Sequence, residues 1–161
     1  MQTRPAARTV LINTDNQVAI IHVAKDNYYK IPGGGIETDE SPITAAQREA
    51  LEESGCQCRI LADLGQITIN LPGWDMRDAS YGFLAQTIGD HNTPNFEDHE
   101  KSRGFQLKWF SSLAKAIHTI STHTPDSSAS PEILAIQARD LAFLQRAADY
   151  LSKKPPVSQG L

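Results

Sequence analysis

An α/β sandwich is the fold class this sequence predicts, on three observations. Short apolar runs separated by turn residues recur on both sides of one well-capped helix. That helix follows a run of three glycines, Gly33 to Gly35, which reads as a loop. A longer amphipathic stretch near the end offers a stripe of apolar side chains to cover a sheet. The chain has 161 residues, of which 40% are hydrophobic and 21% charged, the ordinary mix of a folded domain large enough for one core. A single domain is therefore expected over 1–161, with its core at about 8–151 and a flexible tail over 152–161.

Taken in order, residues 8–24 read as a β-hairpin. Val10, Leu11 and Ile12 run into the polar turn Thr14-Asp15-Asn16-Gln17, and Val18 to Val23 return. Tyr28 to Ile31 forms a short strand entering Pro32-Gly33-Gly34-Gly35. Ser41 caps a helix that has Pro42 in its first turn, and Gly55 ends it. Residues 56–71 alternate enough for one long strand or two short ones, and 80–88 and 106–110 supply two more. Ser112 to Thr119 reads as a short helix, and His123 to Ser130 as a linker. Pro131 to Leu151 is the long amphipathic helix, with Leu134, Ala138, Leu141, Leu144, Ala148 and Leu151 on the expected core stripe. That stripe predicts packing and no chemistry.

Several function classes are disfavoured. A net charge of -4 lacks the basic excess of a general nucleic-acid binder, so no stable nucleic-acid complex is expected. A small phosphorylated substrate bridged by metal suits that balance. The two cysteines, Cys56 and Cys58, would share a face of a strand, which is poor geometry for a disulfide, and two thiols cannot close a zinc site. No run approaches the length of a membrane span, and the start lacks the apolar segment of a signal peptide. A cytoplasmic protein, monomeric or a homodimer, is expected, with secretion the alternative if a signal has been removed.

The chemistry concentrates between Gly34 and Cys56. Gly34 is followed after five residues by Glu40, and after seven more by Arg48-Glu49-Ala50-Leu51-Glu52-Glu53-Ser54-Gly55-Cys56. On a helix, Glu49, Glu52 and Glu53 fall within an arc of about 100°. Ile43, Ala46 and Ala50 fall on the adjoining arc and would seat the helix on the sheet. Three carboxylates on one face repel one another. A hard divalent cation, Mg²⁺ or Mn²⁺, removes that repulsion. Arg48 stands one turn before Glu52 and can fix its direction through an i,i+4 pair.

This segment resembles the Nudix box, G-x5-E-x7-R-E-U-x-E-E-x-G-U with U a bulky aliphatic, and carries all seven of its fixed letters. Chance would produce them at a given start roughly once in 10^8. The two U positions depart, being the smaller Ala50 and Cys56. Tyr28 to Glu37 is similar to the lead-in of small MutT-like members. The resemblance implies an α/β/α sandwich with a mixed central sheet and a Nudix loop-helix. It implies a metal site formed by Glu49, Glu52 and Glu53 with the Gly33 carbonyl, and Glu40 in or behind the cluster. It also implies a water attacking phosphorus in line, with Arg48, Glu52 and Glu53 as catalytic residues. The general base in such proteins is a box glutamate or an acid on a distant loop. Glu97, Asp98 and Glu100 are the candidates here, and Glu100, four residues before Gly104, is favoured. His99 reads as a bystander.

For the substrate, the resemblance implies a nucleoside diphosphate linked to another group. A nucleoside triphosphate, or an oxidised one such as 8-oxo-dGTP, is favoured. ADP-ribose, dinucleoside polyphosphates and diphosphoinositol polyphosphates are alternatives, as is a module that binds a nucleotide without cleaving it. Tyr28, Lys30, Trp74 and Arg77 are the expected substrate contacts. Lys25, Lys101 and Arg103 would join them if they converge, and Tyr29 and Phe83 are further candidates for stacking on a base. The loop Leu71 to Arg77 is the expected specificity element.

Overall fold

Asn13 sets the first hairpin by accepting the backbone N–H groups of Asp15 at 3.0 Å and Gln17 at 2.9 Å. The chain then builds seven strands and four α-helices, described by a computed structural model over residues 1–126 and 130–153. The strands are β1 Gln2–Ile12, β2 Val18–Val23, β3 Tyr28–Lys30, β4 Gly33–Gly35, β5 Gln57–Leu71, β6 Met76–Ile88 and β7 Phe105–Phe110. The helices are α1 Pro42–Ser54, α2 Asp98–Ser102, α3 Leu113–Thr122 and α4 Pro131–Lys153. A single 3-10 turn, Pro72–Trp74, joins β5 to β6.

The sheet is mixed, as expected. β1 runs parallel to β6 from Gln2 opposite Met76 to Ile12 opposite Gln86. It also pairs antiparallel with β4 and, at Ile12 opposite Val18, with β2. β2 pairs with β3 and β7, and β5 with β6, all antiparallel. Strand alternation sends Ala7 and Leu11 towards α1, where Ala45, Ala46 and Ala50 cover them. It sends Val10 and Leu84 to the other face, against Ile120, Phe143 and Leu144 of α3 and α4. Helix, sheet and helix form the three layers.

The box helix begins and ends where its caps place it. Ser41 Oγ accepts the Thr44 N–H at 3.1 Å. Gly55 turns left-handed at φ 74 and donates its N–H to the Leu51 carbonyl. Ala50 and Cys56, the two small residues at bulky positions of the motif, are both fully buried. The cysteines are free thiols.

Three expectations need correction. The glycine run is not a loop, because Gly33, Gly34 and Gly35 pair with Arg8, Ala7 and Ala6 as the short strand β4. Ile43 does not seat α1, being 46% exposed, and Ala45 takes that place. On α4 the buried stripe is Ile133, Ile136, Gln137, Asp140, Phe143, Leu144 and Ala147, while Leu134 and Leu151 are exposed. The helix is turned by one residue, about 100°, from the all-apolar stripe. Phe143 locks this rotation by lying against Gly82 of β6, and Asp140 locks it by accepting the Ile31 N–H at 3.0 Å. The linker reading holds at His123 to Asp126, where the backbone is neither helix nor strand, while 127–129 and the tail residues 154–161 lie outside the described residues.

The Gly82 contact gives a stability prediction. A Cβ there would lie 2.3 Å from Phe143 Cε1, against a ring with no exposed surface. Gly82→Ala is expected to lower the unfolding free energy by about 1–3 kcal/mol through overpacking. Denaturant melts check this, and an unchanged midpoint would mean that the ring is not held there.

Candidate active site

The site grows from the place where β4 meets α1. Gly34 has no Cβ, and one built there would fall 2.5 Å from Glu49 Oε1. The missing side chain lets the Glu49 carboxylate lie against the backbone. One residue earlier, the Gly33 N–H donates to Glu53 Oε1 at 3.2 Å. Glu53 is fully buried, and its other oxygen has no hydrogen-bond partner. Burial pushes its carboxyl well above the usual range, against the opposing pull of Lys30. Glu52 sits at the half-exposed edge of the helix, and burial followed by Glu49 raises its proton affinity too.

Arg48 gathers these acids. It donates from Nε to Glu40 Oε2 at 2.7 Å and from Nη2 to Glu40 Oε1 at 2.9 Å, a two-pronged grip. It also reaches Glu49 Oε1 at 3.0 Å and the Gly35 carbonyl at 3.0 Å. The expected pair with Glu52 is present but longer, at 3.5 Å. Glu40 is thus the main partner, and hydrogen bonds from Arg48 hold its carboxyl at about 2. As the side chains stand, no three acids among the described residues converge to chelating distance, since Arg48 draws Glu40 and Glu49 onto itself. The donor set itself suits a hard cation: three carboxylates on one helix face, one with a buried, unpartnered oxygen.

Beside the acids opens a cavity of about 420 Å³. Glu49, Gly33 and Gly34 form one wall. The loop after β6 brings in another, because Asn92 N–H donates to Gly55 O at 2.9 Å and Asn95 N–H to Glu52 O at 2.7 Å. These two bonds tether the distant acidic segment to the end of the box helix. Glu97, His99 and Glu100 line the cavity as a result, and Asp98 does not. Glu100 is engaged in capping α2, where its Oε1 accepts the Glu97 N–H at 2.9 Å. Its charge still contributes to raising the Glu53 proton affinity.

Of the expected substrate contacts, Tyr28, Lys30 and Trp74 line the cavity. Lys30 is buried over the Phe105 ring, 5.0 Å from its centre, and burial lowers its pKa. Trp74 is 42% exposed on the 3-10 turn, beside Leu71 and Met76. Arg77, also expected there, is exposed on β6 and donates to Asn70 across the strands, outside the cavity. Strand alternation decides this, since Met76 and Asp78 on either side of it face inward. Lys25 and Lys101 also lie outside, whereas Arg103 lines the cavity. Phe83 is in the core, and Tyr29 packs with His22, Phe110 and His123.

Sequence reasoning missed a buried ionic group on the cavity floor. Asp78 accepts from Arg8 at 3.1 Å and from Arg139 at 3.2 Å, and Arg139 also donates to Asp140 at 2.7 Å. Burial works to raise the Asp78 pKa, but Arg8 and Arg139 outweigh it and leave it lowered. The one signal in the sequence was Arg8 leading into an apolar strand, since Asp140 falls off the apolar stripe of the long helix and joins its buried face only through the observed rotation of α4. Only their pairing makes sense of it.

Comparison with known proteins settles the family. Residues 2–126 match the NUDIX domain. The chain belongs to the Nudix family. It is 27% identical over 125 residues to an RNA pyrophosphohydrolase of Xylella fastidiosa, an alignment covering 67% of this chain and 64% of that one. The chain spans less than two-thirds of the length of the curated relatives it matches. Among solved structures, a NUDIX hydrolase from Nitrosomonas europaea superposes with a TM-score of 0.64 at 18% identity, covering 96% of this chain and 93% of that one. A MutT Nudix hydrolase from Burkholderia pseudomallei gives 0.62 at 17%, covering 91% and 98%. These likenesses show the fold. The motif from Gly34 to Cys56 lies within the matched residues, and family members generally use a divalent metal.

The floor network carries its own prediction. Asp140 has no exposed surface and holds Arg139, whose side chain is 1% exposed. Asp140→Ala is expected to lower stability by about 3–5 kcal/mol, because it strands a buried guanidinium. Chemical denaturation measures this, and a loss near zero would show that the pair is solvated.

Proposed function

We propose that this chain is a divalent-metal-dependent pyrophosphohydrolase. It cleaves a phosphoanhydride bond of a nucleoside diphosphate linked to another group, and a nucleoside triphosphate, including an oxidised one such as 8-oxo-dGTP, is the favoured substrate. The observation that carries this reading is Glu53: a group with no exposed surface and one unpartnered oxygen, bonded to the backbone of Gly33, which with Glu49 lines a cavity that also holds basic residues. A buried carboxylate with one oxygen unpartnered is unfavourable unless it takes up a proton or a cation joins it.

Glu49, Glu52 and Glu53, with the backbone at Gly33, would hold Mg²⁺ or Mn²⁺, and Glu40 supports them through Arg48. Such a cation, when bound, neutralises phosphoryl oxygens and lowers the pKa of the attacking water. The chain's own residues do the rest. Arg48 orients the Glu49 and Glu52 carboxylates, and Lys30 brings positive charge close to the phosphates. Trp74, with Leu71 and Met76, offers an apolar shelf that suits a nucleobase. Glu100 is the proposed base, released from its cap when the loop engages substrate. No box carboxylate is missing, which disfavours a module that binds without cleaving.

The deciding experiment is hydrolysis with Mg²⁺ against a panel. It includes nucleoside triphosphates, 8-oxo-dGTP, ADP-ribose, dinucleoside polyphosphates, diphosphoinositol polyphosphates and, given the Xylella relative's name, RNA bearing a pyrophosphate. Turnover is expected to vanish in EDTA and return with Mg²⁺ or Mn²⁺, and activity that survives chelation would refute the mechanism. Glu52→Gln or Glu53→Gln is expected to lower kcat by at least about 10²-fold with the fold intact. Parent-like kcat in both would remove the box from catalysis. Glu100→Gln is expected to reduce kcat far more than KM, while Asp98→Asn, on the same helix but off the cavity, behaves as the parent. Should Glu100→Gln turn over normally, the base is a box glutamate.

A further inference from the structure

Two guanidinium groups on the cavity floor have no part in the reading above. Arg8 is 5% exposed and Arg139 3% exposed, yet both line the cavity. Burying such cations is unfavourable by several kcal/mol each unless they are paired. Both are paired. Arg8 donates from Nε to Ser80 Oγ at 3.1 Å and from Nη2 to Asp78 Oδ2 at 3.1 Å. Arg139 donates from Nε to Asp140 Oδ1 at 2.7 Å and from Nη1 to Asp78 Oδ1 at 3.2 Å. Two arginines and two aspartates make the group neutral and hold both guanidinium planes in place.

What this floor offers a ligand follows from which groups are occupied. Both Asp78 oxygens accept from the arginines, and Ser80 adds a bond to one of them. Both Asp140 oxygens are also in use, by Arg139 and by the Ile31 N–H. Each guanidinium has five N–H donors and uses only two of its nitrogens in these bonds. The floor is therefore rich in fixed donors and poor in free acceptors, which matches phosphoryl oxygens and not a nucleobase edge with N–H groups to satisfy. Its position is equally specific. A Cβ on Gly33 would lie 2.6 Å from Arg8 Cδ, and the Gly33 N–H bonds Glu53. Arg8 and the box carboxylate thus meet at one residue of backbone.

We propose that Arg8 and Arg139 form a rigid two-guanidinium subsite for a phosphoryl group of the substrate, next to the group held by the box. This rests on the reading of the cavity as a pyrophosphate-cleaving site. The neutral network explains how a chain with no basic excess binds a polyanion: directed donors replace bulk charge.

The test measures binding apart from turnover, by calorimetry with the non-hydrolysable pyrophosphate analogue methylenediphosphonate in Mg²⁺. Arg8→Gln combined with Asp78→Asn removes one opposite pair and leaves the Arg139–Asp140 pair in place. It is expected to weaken binding at least about tenfold, the effect of losing hydrogen bonds to a charged group. If that variant does not fold, Arg8→Lys decides: it keeps a cation for Asp78 but loses the planar fork, and binding at least about threefold weaker is expected. Parent-like affinity in the folded variant, or a parent that does not bind the analogue, overturns the subsite. The reading it rests on fails separately, through parent-like hydrolysis by Glu52→Gln and Glu53→Gln while the arginine effect on binding persists.

Discussion

The close approach of backbone to charged side chains at Gly33 and Gly34 is the constraint around which the rest of the site is built. β4 has no side chains, so β1 can pair with it on one edge while two box carboxylates approach from α1. A Cβ at Gly33 would fall 2.3 Å from the Ala7 carbonyl, and one at Gly34 would displace Glu49. The helix could then not settle on the sheet at the depth that buries Glu53. Ala45, Ala46 and Ala50 complete that seating from the helix side, where larger residues would hold it away.

Two ionic assemblies meet at this junction, and they differ in rigidity for a physical reason. Arg48 is 24% exposed and gathers Glu40, Glu49 and Glu52 at the cavity edge, where solvent can replace any one bond. The group around Asp78 is almost wholly excluded from water, so each bond there is strong and none can be given up without a partner. The first assembly can therefore exchange partners, as the proposed cation binding requires. The second serves as a fixed frame that ties β1, β6 and α4 together below the cavity. The acidic segment after β6 is held less firmly, by two backbone bonds to the end of α1, which suits a wall that moves with substrate.

Local rules made much of the protein legible in its sequence. Caps at Ser41 and Gly55 placed the box helix, period-two alternation placed the strands, and the spacing of Glu40, Arg48, Glu49, Glu52 and Glu53 identified the family. Each depends on residues close in the chain, whose geometry a helix or turn dictates. The three-layer architecture followed from the same elements, since each had one apolar face to cover. Non-local pairing decided the rest. Gly33 to Gly35 became a strand only because β1 lay beside them with unpaired backbone groups. The rotation of α4 was set by Phe143 meeting Gly82 and Asp140 meeting Ile31, contacts separated by 61 and 109 residues that no helical periodicity contains. Arg77 pointed away and Arg8 pointed in for a similar reason, because alternation tells which residues share a face but not which face meets the cavity. The sequence by itself thus determined the family, the helix that carries the acids and the order of the longer elements, while β4 and α2 were not read from it. Only the tertiary structure decided which arginines reach the cavity, because a buried charge is tolerable solely where the fold brings its partner to it.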